Sequence, residues 1–161
     1  MSESRKQFQR VQRAFMKVLD NKNRKPEEYE DDVWGFFMNC WHLTDWIKND
    51  TDGVSKATRE KIEVEVNSHP ALMMVGKLAN KQNHINVTRG VTKAGSAQAS
   101  RGRVTGGAYI DNRSEPRNPG KDGQEIMLLV VVDKKGNEIS AKKLATDAMK
   151  NWMAIIKKYR I

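Results

Sequence analysis

Tyr29–Asp50 reads YEDDVWGFFMNCWHLTDWIKND, and how this stretch folds decides the rest of the chain. It holds three of the four tryptophans (Trp34, Trp41 and Trp46), Phe36 and Phe37, and the single cysteine, Cys40. Val33, Phe36/Phe37, Cys40, Leu43 and Ile47 recur at helical spacing. Trp34, Met38 and Trp41 widen that stripe most of the way round. The spacing therefore predicts a central helix, touched by neighbours on several sides. One strip stays polar: Asn39, His42 and Asp45, three residues apart, form a ridge on one face. Polar groups on a buried helix need partners, and those partners are either structural or chemical.

Working outward, residues 3–22 predict a first helix with Phe8, Val11, Phe15, Val18 and Leu19 as its apolar stripe and lysines and arginines on the rest. Pro26-Glu27-Glu28 opens the central helix, with proline and acids where a helix start favours them. Ser55 caps a third helix to about Asn67. Residues 71–85 predict a fourth, with Leu72, Val75, Leu78 and Ala79 inward. On it Lys77, Lys81 and His84 share another face, and Asn80 precedes His84 by four. Val104–Ile110 is a candidate strand, Asp111–Gly123 is turn-rich, and Glu125–Asp133 (EIMLLVVVD) is the clearest strand. Residues 138–140 pair back as a short strand. Ser140 then caps a last helix to about Tyr159, with Leu144, Ala148, Trp152 or Met153, Ile155 and Ile156 as its apolar face. The fold class expected is mainly α, a bundle of about five helices with a small antiparallel β insertion before the C-terminal helix.

At 161 residues the chain fits one domain with a core that needs no disulfides. A lone cysteine gives neither a disulfide framework nor a cysteine metal site, and favours a reducing interior. The basic, amphipathic N-terminus has no apolar run for a signal peptide, and no stretch approaches a membrane span. A cytoplasmic protein is expected. The net charge of +9 is uneven: residues 1–25 carry +6, 26–52 carry −7, 53–104 carry +6 and the remainder +4. Val66–Ile110 contains no Asp or Glu but holds Lys77, Lys81, Arg89, Lys93, Arg101 and Arg103. Within it, residues 90–107 are rich in Gly, Ser, Thr and Ala, as in a basic loop or weak hairpin. Lysines and arginines free of carboxylates neutralise phosphates, so the expected partner is RNA or DNA. Lys77, Arg89, Lys93, Arg101 and Arg103 are the candidate nucleic-acid contacts. The alternative is an ordinary solvated basic surface.

The order of segments resembles a group of uncharacterised bacterial proteins. The residues that carry the likeness are Cys40, Trp41, His42, Leu43, Asp45 and Trp46 on one helix, and Ala79, Asn80 and His84 on a later one. That group has a Cys-Trp-His-Leu-x-Asp-Trp helix and an Ala-Asn-x-x-Lys-His helix; here Lys81 stands three residues before His84, not immediately before it. Those proteins are similar in turn to the HEPN superfamily of helical bundles. The resemblance spans about residues 29–160 and implies a single HEPN-like domain over 1–161, within which composition makes 85–125 a mobile basic loop or hairpin region. It also implies an RNA-directed role, RNA ahead of DNA, such as a metal-independent endoribonuclease of a toxin–antitoxin or antiviral-defence type. Other HEPN domains are non-catalytic, which implies instead an antitoxin-like or protein-interaction subunit. The RNase members carry Arg, four to six residues, then His; the nearest match here is Lys77 and His84, with lysine in place of arginine.

The chemical reading sets His42 and Asp45 of the central helix against Asn80, Lys81 and His84 of the fourth. Two histidines suit general acid and base roles in attack of a 2′-hydroxyl on its phosphate, and a lysine stabilises the charge that builds there. The structural reading makes His42 a hydrogen-bonded helix residue held by Asp45, with Asn80 and His84 anchoring the following loop. No metal is expected: His42, His69 and His84 are the only histidines and have no ligand spacing. No cofactor is expected either, since neither a Walker loop nor Gly-x-Gly-x-x-Gly is present, and Gly-x-Ser-x-Gly is missing as well. Partners expected are RNA or DNA, with a homodimer or a partner protein as the alternative. A third reading is a small-ligand sensor with a pocket beside the tryptophan-rich helix.

Overall fold

The structure, a computed structural model, describes residues 2–22, 24–82, 109–113, 128–132 and 137–161. Among the described residues, five helices run in chain order: α1 (Glu3–Leu19), α2 (Pro26–Asn49), α3 (Lys56–Ser68), α4 (Pro70–Gln82) and α5 (Ala141–Tyr159). Three strands, β1 (Tyr109–Arg113), β2 (Leu128–Val132) and β3 (Glu138–Ser140), precede α5 and form an antiparallel sheet in the order β1-β2-β3. The molecule is mainly helical, with a small sheet before its last helix.

The central helix is α2. It packs against α1, α3, α4 and α5. Val33, Phe36, Phe37, Cys40, Leu43 and Ile47 are all buried, as their spacing requires. Each fully buried phenylalanine contributes about 1.5–3 kcal/mol of transfer free energy. Phe15 of α1, Phe36 and Phe37 form a chain of tilted ring contacts with centroids 5.7 and 5.9 Å apart, and Trp34 meets Phe37 edge-on at 6.2 Å. Trp41 lies over Gly76 of α4. A Cβ at position 76 would stand 2.8 Å from Trp41 Cη2 and closer still to Cζ3 and Cε3. Only a residue without a side chain lets the indole seat there.

Local chemistry sets the ends of the helices. Ser2, Ser55 and Ser140 each cap a helix, accepting from the backbone N–H three residues on, Arg5, Thr58 and Lys143 respectively. α1 ends at Leu19, three residues short of the expected 22, because Asp20 leaves helical geometry and its N–H closes on Met16 O. α4 starts at Pro70, where proline's missing N–H costs a first turn nothing. Residues 83–85, expected to continue it, lie outside the described residues.

β1 departs from the expected Val104–Ile110: it occupies Tyr109–Arg113, running through residues read as turn. Asp111, Asn112 and Arg113 pair with Val130, Leu129 and Leu128. Backbone pairing at a sheet edge tolerates polar side chains that propensity counts against a strand. β2 falls inside the expected 125–133 and forms the middle of the sheet, with Leu129, Val130 and Val131 buried and α5 against it. On α5, Trp152 is buried and Met153 is 54 % exposed, which resolves the alternative left by periodicity.

Candidate nucleic-acid interface

The polar ridge of α2 divides. Asn39 is structural: its Nδ2 donates to Gly35 O at 2.7 Å, and its O and Oδ1 accept from Gln7 Nε2 of α1 at 3.1 and 3.2 Å. His42 and Asp45 stay at the surface, with 44 % and 58 % of their side chains exposed, and His42 Nδ1 lies 3.7 Å from Asp45 Oδ2. That separation is beyond hydrogen-bond reach, so the two groups are neighbours and Asp45 does not fix the ring. Asn80 and Lys77 of α4 are exposed, and no hydrogen bond or ion pair among the described residues links either of them to His42 or Asp45. Lys81 falls in the last turn of α4; its side chain, and the whole of His84, Arg89, Lys93, Arg101 and Arg103, lie outside the described residues. Of the three proposed catalytic side chains among the described residues, His42 and Asp45 lie near each other and Asn80 makes no hydrogen bond or ion pair with either.

The described basic surface lies elsewhere, on α1 and α5. α1 carries five cations against Glu3, and α5 carries five lysines against Asp147, a balance of +4 on each. The two helices are in contact, and Lys142 at the start of α5 donates to Leu19 O and Asn21 Oδ1 at the end of α1. Glu3 pairs with Lys6, and Asp147 with Lys143. Arg5, Arg10, Arg13, Lys150 and Lys157 are exposed, and none has a carboxylate within 4.0 Å among the described residues. Lys17, which follows Arg10 and Arg13 at i+7 and i+4, is compensated: Asp32 of α2 takes it at 3.3 Å and Arg24 at 2.6 Å. Burial opposes the Asp32 charge, but those two cations prevail and hold its carboxyl below the usual range.

Arg10 is a contact that spacing did not single out. Its guanidinium lies over the Trp46 ring, 5.7 Å from the centroid, and its Nη1 donates to Gln7 Oε1 at 3.1 Å. An arginine stripe on α1 and Trp46 in the aromatic helix were both visible in the sequence; that they meet is a property of the α1–α2 packing.

Other polar clusters serve the fold. Asp50, buried, accepts from Ser4 Oγ at 2.5 Å, Ser4 N at 3.2 Å and Gly53 N at 2.9 Å, which pins the start of α1 to the end of α2. The Ser4 hydroxyl, foremost among these donors, holds the Asp50 carboxyl below its ordinary range. Glu65 of α3 accepts from Lys158 Nζ at 2.6 Å and Tyr159 Oη at 2.8 Å, and Lys158 in particular keeps it ionised to lower pH. The Cys40 thiol is pushed up to about 12 by burial, so it packs and does not attack. Among the described residues there is no group of three His, Cys, Asp or Glu that could hold a metal ion. No described helix is long and apolar enough to cross a membrane. No family model, no curated protein and no solved structure matches the chain.

Proposed function

We propose that this chain is a nucleic-acid-binding helical domain whose contact surface is the exposed basic side of α1 and α5. One observation carries the reading: Arg5, Arg10, Arg13, Lys150 and Lys157 stand exposed on two touching helices without a carboxylate partner among the described residues. Cations left without acids in this way attract a polyanion and displace its counterions. The carboxylate-free span 66–110 adds charge of the same sign in sequence. A HEPN-like assignment draws support only from the fold class, a mainly helical bundle. The test is fluorescence anisotropy with labelled RNA and DNA oligonucleotides. Arg5→Glu/Arg13→Glu weakens binding at least tenfold, whereas Lys61→Glu, on the exposed side of α3, has a smaller effect. Equal loss from both variants, or binding indifferent to salt, rejects the interface.

A second reading, cleavage of the bound RNA, is favoured by His42, whose half-exposed imidazole stands 3.7 Å from Asp45 Oδ2 and is open to a substrate as a general base. Purified protein then cuts RNA without added metal, and His42→Ala stops it while the thermal melt is unchanged. RNA left intact by the wild-type chain removes the catalytic reading and leaves the binding one.

A further inference from the structure

Arg10 differs from the other cations of its face in being held in place. Trp46 lies beneath its guanidinium, Gln7 Oε1 takes one of its N–H groups, and Gln7, only 3 % exposed, is itself clamped to Asn39 through both of that residue's oxygens. Asn39 is fixed to Gly35 O one turn earlier on α2. The chain of contacts Gly35–Asn39–Gln7–Arg10–Trp46 thus positions a planar cation at the surface, and no carboxylate among the described residues neutralises it. Other arginines are used differently: Arg24 is committed to Asp32, and Arg59 to the carbonyls of Asp50 and Val54. On α2, Asn39, His42 and Trp46 follow at i, i+3 and i+7, so the half-exposed His42 ring borders the same seam.

A flat guanidinium backed by an indole is a surface on which a nucleobase stacks, and flanking arginines on the same helix face phosphates. A base inside a duplex has both faces covered by its neighbours and cannot reach such a surface. We infer that Arg10 on Trp46 is a stacking platform for an unpaired base, and that the nucleic acid bound is single-stranded. The inference rests on the binding reading above and narrows it to a class of nucleic acid. Lysine at position 10 keeps the charge but loses the plane, which separates stacking from electrostatics.

The experiment measures anisotropy of a fluorescein-labelled 12-nucleotide RNA, alone and annealed to its complement, with wild type, Arg10→Lys, Arg13→Lys and Trp46→Leu. The single strand binds more tightly than the duplex. Arg10→Lys weakens single-strand binding about tenfold and leaves duplex binding unchanged. Arg13→Lys, which keeps the charge, affects single strand and duplex alike and by less than Arg10→Lys affects the single strand. Trp46→Leu acts as Arg10→Lys does, with circular dichroism confirming the fold; if Trp46→Leu unfolds, the exposed Arg10 position decides alone. Arg10→Lys binding the single strand as wild type does, or single strand and duplex binding alike, overturns the platform and leaves the basic face standing. Failure to bind either form overturns both.

Discussion

Gly76→Ala is the substitution on which the packing of α2 against α4 is most exposed to test. At a helical position alanine is favoured over glycine by about 1 kcal/mol, so propensity alone predicts a more stable protein. The Trp41 indole reverses the sign. Carbon pairs settle near 3.5–4.0 Å, so Cη2, 2.8 Å from the new Cβ, must back away by about 1 Å, and the two ring atoms nearer to it by more. The indole is rigid and wedged between two helices, and overpacking of this kind costs about 1–3 kcal/mol. The net expectation is a loss of about 1 kcal/mol, or a Tm lowered by about 2–4 °C in a chain of this size. Gly35→Ala supplies the control, because a Cβ there meets nothing within 4 Å. That variant gains stability, with Tm raised by a few degrees. Thermal melts followed by circular dichroism measure both, and the near-ultraviolet signal of Trp41 changes only in the first. If Gly76→Ala melts at or above wild type, the indole does not rest on Gly76 and the α2–α4 seam is differently packed.

Three further outcomes follow from the polar groups. Asp50→Asn lowers stability by about 1–2 kcal/mol at pH 7, because it weakens charge-assisted bonds from Ser4 and Gly53. The Asp50 carboxyl is depressed in the folded state, so its stabilisation is complete above about pH 4 and fades as pH falls through the folded value; the gap between wild type and variant in urea titrations closes there. Thr44 Oγ1 is buried without a hydrogen-bond partner among the described residues, so Thr44→Val, which keeps the shape, leaves stability unchanged or raises it by up to about 1 kcal/mol. Cys40 reacts with a thiol reagent at pH 8 only as fast as the protein opens, since burial pushes its thiol up to about 12; rapid stoichiometric labelling of folded protein would contradict this.

Much of the scaffold was legible because its signals are local. Serines at 2, 55 and 140 sit where a helix start needs a side-chain acceptor, although only the last two were read from the sequence. The apolar stripe of α2 has one reading. Strand limits were less legible, since Asp111–Arg113 owe their conformation to pairing with Leu128–Val130 and not to their own propensities. The site was least legible. The cations of α1 and α5 were plain in the sequence but carried an ordinary explanation, the wet face of a helix and lysines at a helix C-terminus. What distinguishes Arg5, Arg10, Arg13, Lys150 and Lys157 is that no carboxylate among the described residues lies within 4.0 Å of them and, for Arg10, an indole from another helix. His42 and Asp45 were legible as an i, i+3 pair; that Asn39 belongs to the packing with Gln7 was not, because only the α1–α2 contact decides it.

The central claim is that uncompensated cations of α1 and α5 meet phosphates. The slope of log K against log salt for a single-stranded oligonucleotide tests it most directly. With Arg10 on a base, the remaining four phosphate contacts give a slope of about −2.8, and Arg5→Ala/Arg13→Ala makes it shallower by about 1.4. A flat dependence, or a slope that the double substitution leaves unchanged, would contradict the account.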